Sequence, residues 1–251
     1  MDDDISTGIT TGSVAAPFRV LALDGGGIRG FFAARLLERL VERAGRDPSR
    51  IDFGTAFQLI VGTSTGALIG SALAAGIPLT RIAAIFRTSG AAIFPRPAPM
   101  GWTSMAWCVL HWRRPSANAH AFRTVLESLF GATTLGELFA RRGIALCLPA
   151  TDVRRVRGHL FATPHQAAHS GTSAISLVNA CMASCAAPML LPPVRLDVPG
   201  GGSAEWCDGG LWATSPVLVA LAEALGIAPR GTPIEILSVG TAGTPLPRAA
   251  L

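Results

Sequence analysis

The chain has 251 residues, of which 49% are hydrophobic and 15% are charged, and its mean hydropathy is +0.43. This length suits one α/β domain with a large core. The net charge of +5 comes with no nucleic-acid-binding motif, so we predict no nucleic acid partner. The five cysteines form no C-x-x-C pair, so neither a zinc site nor a disulfide framework is predicted. The polar, acidic N-terminus is not a secretory signal.

The N-terminal half alternates predicted strands with predicted helices, as apolar runs give way to helically spaced apolar positions. Residues 1–16 are interpreted as a flexible leader, and residues 17–251 as a single domain. The predicted elements of this half are a strand over 18–23, a helix over 28–41, a strand over 57–61, a helix ending near 75 and a helix over 78–89.

The C-terminal half continues the alternation, which favours a three-layer α/β/α sandwich with a mostly parallel central sheet. Helices are predicted over 119–130, 134–141, 173–185 and 216–225, and strands over 144–150, 159–162 and 234–239. The glycine-rich stretch that leads to Asp208 is predicted as a loop.

Residues 90–118 are irregular and contain three of the chain's five tryptophans together with several arginines. Tryptophan and arginine suit the headgroup boundary of a membrane, so this segment is a candidate cap or interfacial insertion. The alternative is that the tryptophans pack over the core.

One G-x-S-x-G sequence lies between a predicted buried strand and a predicted helix, with Gly62 and Gly66 flanking Ser64. A serine on such a turn is held clear of the sheet, and small residues two positions away let the turn close. Ser64 is therefore the candidate nucleophile. The alternative is an ordinary turn with a capping serine.

A nucleophilic serine needs a base, and the sequence offers two kinds. A Ser–acid–His triad would need Asp152 with one of the histidines that follow it, because no histidine follows Asp208. Those histidines are His159, His165 and His169, and their polar segment favours surface positions. The other candidate is Asp208, whose pKa would rise if the side chain were buried beside Ser64. An exposed Asx turn is the alternative for Asp208.

The glycine-rich turn at residues 25–30 matches G-x-G-x-x-G, the fingerprint of a dinucleotide site, and follows the first predicted strand. A dinucleotide site also needs an acid at the end of the second strand. That strand ends instead at Gly62 and Thr63, while Asp47 and Asp52 precede it. The pattern therefore favours backbone N–H groups aimed at something other than pyrophosphate.

Three ordered pieces, DGGGIRG, GTSTG and a downstream DGG, resemble the patatin-like phospholipases over nearly the whole chain. The resemblance also covers ACMASCAAPMLLPP at 180–193. It departs after the DGG, where Leu211–Pro216 replaces an Asn-Pro that the family often has, and many relatives continue beyond the end of this chain. The resemblance implies a Ser64–Asp208 dyad without histidine. It also implies that the oxyanion hole is formed by Gly25, Gly26 and Gly27 with Arg29 beside it.

By the same resemblance, the chain is expected to be a serine acyl hydrolase of membrane phospholipids that uses no metal and no cofactor. It would be cytoplasmic and would contact the membrane peripherally. The alternatives are an esterase or acyltransferase on other substrates, or a catalytically silent nucleotide-binding module. GTSTGALI and IFPRP are also similar to bacterial patatin-like effectors that are gated by cyclic nucleotides against phage.

Overall fold

The computed structural model describes residues 16–94, 114–188, 190–197 and 202–242. Within these ranges, one sheet carries all seven strands, and helices lie on both of its faces. The strands are β1 (Phe18–Leu23), β2 (Leu59–Gly62), β3 (Ala145–Asp152), β4 (Arg157–Ala162), β5 (Val194–Asp197), β6 (Ser203–Asp208) and β7 (Ile234–Val239). The helices are α1 (Gly30–Arg43), α2 (Thr65–Ala74), α3 (Leu79–Ile93), α4 (Arg114–Phe130), α5 (Leu135–Arg142), α6 (Leu177–Ser184), α7 (Gly210–Ala213) and α8 (Val217–Ile227).

The sheet is mixed and has the strand order β5-β6-β3-β2-β1-β7, with β4 paired to the remaining edge of β3. The pairings β7–β1, β1–β2 and β2–β3 are parallel. The pairings β3–β4, β3–β6 and β5–β6 are antiparallel. The predicted α/β/α class is confirmed, and its parallel part is the block of four strands that carries the glycine loop and the serine turn.

The two faces of the sheet bury separate apolar clusters, because alternate residues of a strand point to opposite faces. Leu21, Leu23 and Ile60 belong to the larger cluster, under helices α1 to α6. Val20 and Leu59 belong to the smaller cluster, which α8 covers. The helix α2 is buried along its whole length, which explains why its sequence shows small and apolar residues on every side.

Two predictions about domain organisation concern residues that lie mostly outside the described ranges. The leader at 1–16 lies almost entirely outside them. Most of the predicted insertion at 90–118 does too, including its three tryptophans. Its two ends are helical, since α3 runs to Ile93 and α4 begins at Arg114.

The stretch before Asp208, predicted as a loop, forms the antiparallel pair β5 and β6 instead. Their brevity and the glycine-rich link between them obscured the strand pattern. In β5, buried Val194 and Leu196 alternate with exposed Arg195 and Asp197. This period of two is the signal of a half-buried strand.

One edge of β3 positions the functional residues. Residues Ala150–Asp152 pair with both β4 and β6, and Cys147 pairs with both β4 and β2. A strand has two edges, so β2 and β6 share the edge opposite β4. The strand β2 runs parallel to β3 and β6 runs antiparallel to it, so their carboxyl ends approach each other along that edge.

Candidate active site

The serine turn is a strained elbow at the carboxyl end of β2. Ser64 has φ 54° and ψ −120°, a conformation that costs a non-glycine residue of order 1–3 kcal/mol and persists only where its surroundings enforce it. A Cβ on Gly62 would lie 2.5 Å from the carbonyl carbon of Gly66. A Cβ on Gly66 would lie 2.8 Å from the carbonyl carbon of Leu23. Glycine is therefore required at both positions for the turn to close against β1.

Asp208 ends β6 and lies against Ser64, with the Ser64 Oγ donating a hydrogen bond of 2.7 Å to Asp208 Oδ2. The carboxylate is buried, and its Oδ1 accepts the N–H of Gly210 at 2.6 Å. An exposed Asx turn is therefore excluded, although the local bond to Gly210 is present. Burial raises the pKa of Asp208, and the hydrogen bonds from Ser64 and Gly210 offset part of that rise.

The glycine loop lies beside the serine, since a Cβ on Gly25 would come within 3.3 Å of Ser64 Cβ. The N–H of Gly25 donates to the Thr214 carbonyl at 2.9 Å and is not free for a ligand. Within the described residues, the N–H groups of Gly26 and Gly27 have no such partner. Gly27 has φ +57°, the left-handed region that favours glycine.

Arg29 lies at the end of the glycine loop, and its guanidinium is anchored to the backbone. Its Nε donates to the Gly26 carbonyl at 3.4 Å and its Nη1 donates to the Ala242 carbonyl at 3.3 Å. The first bond lies within the loop, and the second links the loop to the chain that follows β7. The contacts therefore support a role in holding the loop.

Several residues that sequence reasoning missed hold the site together. The Ser184 Oγ at the end of α6 accepts the Ser64 N–H at 3.1 Å. The Thr241 Oγ1 donates to the Gly25 carbonyl at 3.1 Å. Thr214, whose carbonyl binds the Gly25 N–H, lies in the stretch that departs from the family pattern. These contacts join positions far apart in the chain, so no local sequence signal reports them.

The histidines considered for a triad are occupied elsewhere, and the prediction that they are surface residues is wrong for two of them. The side chains of His165 and His169 are 3% and 13% exposed and both contact Glu223. The ring of His159 packs against Phe161 and Trp206. Among the described residues, Asp208 is the group that accepts the Ser64 hydroxyl.

Asp152 is also unsuited to a triad, because its buried carboxylate closes a local turn. Its Oδ1 accepts the N–H groups of Arg154 and Arg155, and its Oδ2 binds the Arg155 guanidinium at 3.1 Å. Burial opposes ionisation, but the hydrogen bonds and charge of Arg155 prevail and lower the pKa of Asp152. The contacts of Asp152 are structural.

Apolar side chains are exposed on both chain segments that bear the site. Ile28 follows the glycine loop and is 47% exposed, and Leu211 follows the DGG sequence and is 59% exposed. Phe94, the last described residue before the 95–113 gap, lies near Gly27. The chain therefore enters the predicted insertion beside the glycine loop. No helix within the described ranges is long and apolar enough to cross a bilayer.

Comparisons with known proteins identify relatives of this chain. The family model for the patatin-like phospholipases matches residues 21–221. A cGAMP-activated phospholipase from Pseudomonas aeruginosa is 32% identical over 238 residues, which are 94% of this chain and 64% of that relative. A cGAMP-activated phospholipase from Escherichia coli is 29% identical and is matched over 90% of this chain and 62% of its own length. The chain thus spans less than two thirds of the length of these relatives.

Among solved structures, VipD from Legionella pneumophila has a TM-score of 0.49 and 16% identity, over 79% of this chain and 47% of that one. The family match includes the glycine loop, the serine elbow and Asp208, all of which lie within residues 21–221. The resemblance inferred from the three motifs is confirmed. The chain belongs to the patatin-like phospholipase family.

Proposed function

We propose that the chain is a serine acyl hydrolase that cleaves fatty-acyl esters of membrane phospholipids, with Ser64 as nucleophile and Asp208 as general base. The observation that carries the proposal is the 2.7 Å hydrogen bond from the Ser64 Oγ to the buried Asp208 carboxylate. This distance is within the reach that proton transfer to a general base requires.

The dyad geometry gives each group one task. As Ser64 Oγ attacks the ester carbonyl, its proton moves to Asp208 Oδ2, and the same proton then passes to the leaving alcohol or lysolipid. Water, activated by Asp208, afterwards cleaves the acyl-enzyme. The raised pKa of Asp208 brings its basicity closer to neutral pH, which favours proton transfer in both directions.

The oxyanion of the tetrahedral intermediate is proposed to bind the N–H groups of Gly26 and Gly27. These donors lack partners in the described structure, while the N–H of Gly25 is occupied by Thr214. We therefore propose that Gly25 shapes the loop and that Arg29 anchors it. The N–H of Thr65, at the first position of α2, is a further donor, because the first N–H groups of a helix have no partner within it.

Membrane phospholipid is proposed as the substrate because apolar side chains are exposed on the two chain segments that bear the site. Ile28 follows the glycine loop and Leu211 follows Asp208, and exposed apolar surface is typical of lipid contact. The net charge of +5 favours an anionic membrane surface. Peripheral contact, with residues 90–118 contributing, is part of this proposal.

A cyclic dinucleotide is the proposed activator, because two of the relatives are described as cGAMP-activated phospholipases. A role as a gated antiphage effector would follow from such activation. Acyl release with and without added cGAMP tests this part separately. An unchanged rate in a catalytically competent preparation would contradict it.

The alternatives differ in what they require of the same site. An esterase or acyltransferase on other substrates would use the dyad but would not bind vesicles. A nucleotide-binding module would need the glycine loop for phosphate, but that loop is packed against Ser64.

The test is release of fatty acid from mixed phospholipid vesicles by the parent and by Ser64→Ala, Asp208→Asn and His159→Ala variants. We expect both dyad variants to lose at least about 10³-fold in rate, because removing a nucleophile or its base abolishes the covalent route. The His159→Ala variant should keep its activity. An inactive His159→Ala variant beside an active Asp208→Asn variant would replace the dyad with a triad.

A further inference from the structure

A second cluster of reactive side chains lies on the face of the sheet that α8 covers. Cys147 is on β3, His165 and His169 follow β4, and Glu223 is on α8. We call these four residues the CHHE cluster. None of them contacts the Ser64–Asp208 pair in the hydrogen-bonding network, and the proposed hydrolase mechanism uses none of them.

The potential ligand atoms of the CHHE cluster converge. One atom from each residue lies within 4.8 Å of all the others. Cys147 Sγ is 3.9 Å from His165 Nε2, which is 3.1 Å from Glu223 Oε2. A tetrahedral zinc ion with ordinary bond lengths separates its nitrogen, oxygen and sulfur ligands by about 3.4–3.6 Å. Shifts of a few tenths of an ångström in these three atoms would produce that separation.

The hydrogen bonding of Glu223 indicates that a cation fits this position. Three nitrogen atoms lie within hydrogen-bonding distance of its Oε2. They are His165 Nε2 at 3.1 Å, His169 Nε2 at 2.9 Å and Gln166 Nε2 at 2.7 Å. One carboxylate oxygen has two lone pairs, so three donors exceed what it can accept well. An ion bound to both imidazoles and to the carboxylate would remove the crowding.

The surroundings of His165 suit a metal ligand. Its Nδ1 lies 2.8 Å from Thr163 Oγ1, on the opposite side of the ring from the cluster. A hydrogen bond at one ring nitrogen orients the ring and directs the other nitrogen toward a metal. Thr163 is itself buried and bonded to Leu146, so this support is rigid.

We propose that the CHHE cluster is a structural zinc site. Two imidazoles, a thiolate and a carboxylate form a ligand set typical of Zn²⁺, and four protein ligands close its coordination shell. The thiolate and the carboxylate together balance the charge of the dication. The thiol proton of Cys147 is released to solvent when the ion binds. The absence of a C-x-x-C pair had argued against zinc, but these ligands come from three separate elements.

The position of the site indicates the structural role of the ion, which is to attach α8 to the sheet. Ala220 and Ala224 are the side chains that α8 buries fully, and they offer little apolar area. Leu218 and Leu225 point outward and are 78% and 67% exposed. Val217, Val219 and Ile227 of the same helix are only partly buried against the sheet. A bond from Glu223 to an ion held by β3 would add a polar attachment to these apolar contacts.

One ligand of the CHHE cluster borders a surface pocket. A pocket of about 370 Å³ at the open edge of β4 is lined by His159, His169 and Trp212, among others. His169 is thus shared by the pocket and the cluster. Cys147 lies deeper and is fully buried.

The test uses the full chain, stripped of metal with a chelator and then titrated with Zn²⁺ or Co²⁺. We expect one ion per chain and, with Co²⁺, a thiolate-to-metal charge-transfer band together with the visible bands of a tetrahedral ion. Saturating Zn²⁺ should raise the Tm by roughly 5–10 °C, as expected for tight binding to the native state of a chain this size.

Matched variants assign the ion to its ligands. The Cys147→Ala and His169→Gln variants should lose the stoichiometric ion and the rise in Tm, while Cys181→Ala and His120→Gln should keep both. His169 is partly exposed, so its variant remains informative if Cys147→Ala fails to fold. Absence of stoichiometric binding by the parent, or the same binding by a folded His169→Gln variant, would overturn the proposal.

Discussion

Replacing Gly66 with alanine should separate the serine elbow from the glycine loop. The added Cβ would clash with the Leu23 carbonyl oxygen and would lie 2.8 Å from the Leu23 carbonyl carbon. Favourable carbon–carbon contacts begin near 3.5 Å, so the two backbones must part by at least about 0.7 Å. Since a misplacement of about 1 Å in a catalytic site can lower the rate about 100-fold, we expect kcat to fall by roughly 30- to 100-fold.

The matched control is Gly70→Ala, one helical turn further along α2. Its Cβ would meet no backbone atom, and its nearest contact is the side-chain Ile60 Cγ2 at 3.0 Å, so a shift of a few tenths of an ångström accommodates it. Hydrolysis of a soluble acyl ester, measured beside the thermal unfolding of both variants, separates loss of geometry from loss of fold. A folded Gly66→Ala variant with a kcat within about threefold of the parent would refute the steric reasoning.

Three further predictions concern the base, the support of the nucleophile and the lipid surface. The rate should fall as Asp208 becomes protonated, and because burial raises its pKa, the acid limb of the pH–kcat profile should lie above the ordinary value of 3.8. Ser184→Ala leaves the Ser64 N–H without its acceptor, so we expect kcat to fall about tenfold and the free energy of unfolding to fall by about 1–3 kcal/mol in denaturant titration. Leu211→Ser should weaken binding in vesicle co-sedimentation by about tenfold while leaving soluble-ester hydrolysis nearly unchanged, because Leu211 is exposed beside the site.

Local pattern was enough to predict the parallel part of the fold. The strands predicted over 18–23 and 234–239 match β1 and β7. The apolar run of β1 is that of a buried parallel strand, whereas β7 lies at the edge of the sheet and only its last residue, Val239, is buried. The pair β5 and β6 was missed because its strands are short and separated by glycines. The alternation of buried and exposed residues over Val194–Asp197 is the sequence pattern that indicates β5.

The parts of the site that a local sequence motif determines could be predicted from the sequence. The Ser64 elbow and the glycine loop are local turns, and the family resemblance favoured Asp208 over a histidine triad. The supporting contacts of Ser184, Thr241 and Thr214 depend on how distant elements pack. The positions of His165 and His169 depend on Glu223, which is more than 50 residues away in the chain.

The most direct test of the central claim is covalent labelling with a lipid-like fluorophosphonate, followed by mass spectrometry of the labelled peptide. We expect one adduct per chain, on Ser64, formed at least about 100-fold more slowly by the Asp208→Asn variant, because the hydroxyl then loses the base 2.7 Å away. An adduct on another residue, or equal labelling rates for parent and Asp208→Asn, would contradict a nucleophilic Ser64 activated by Asp208.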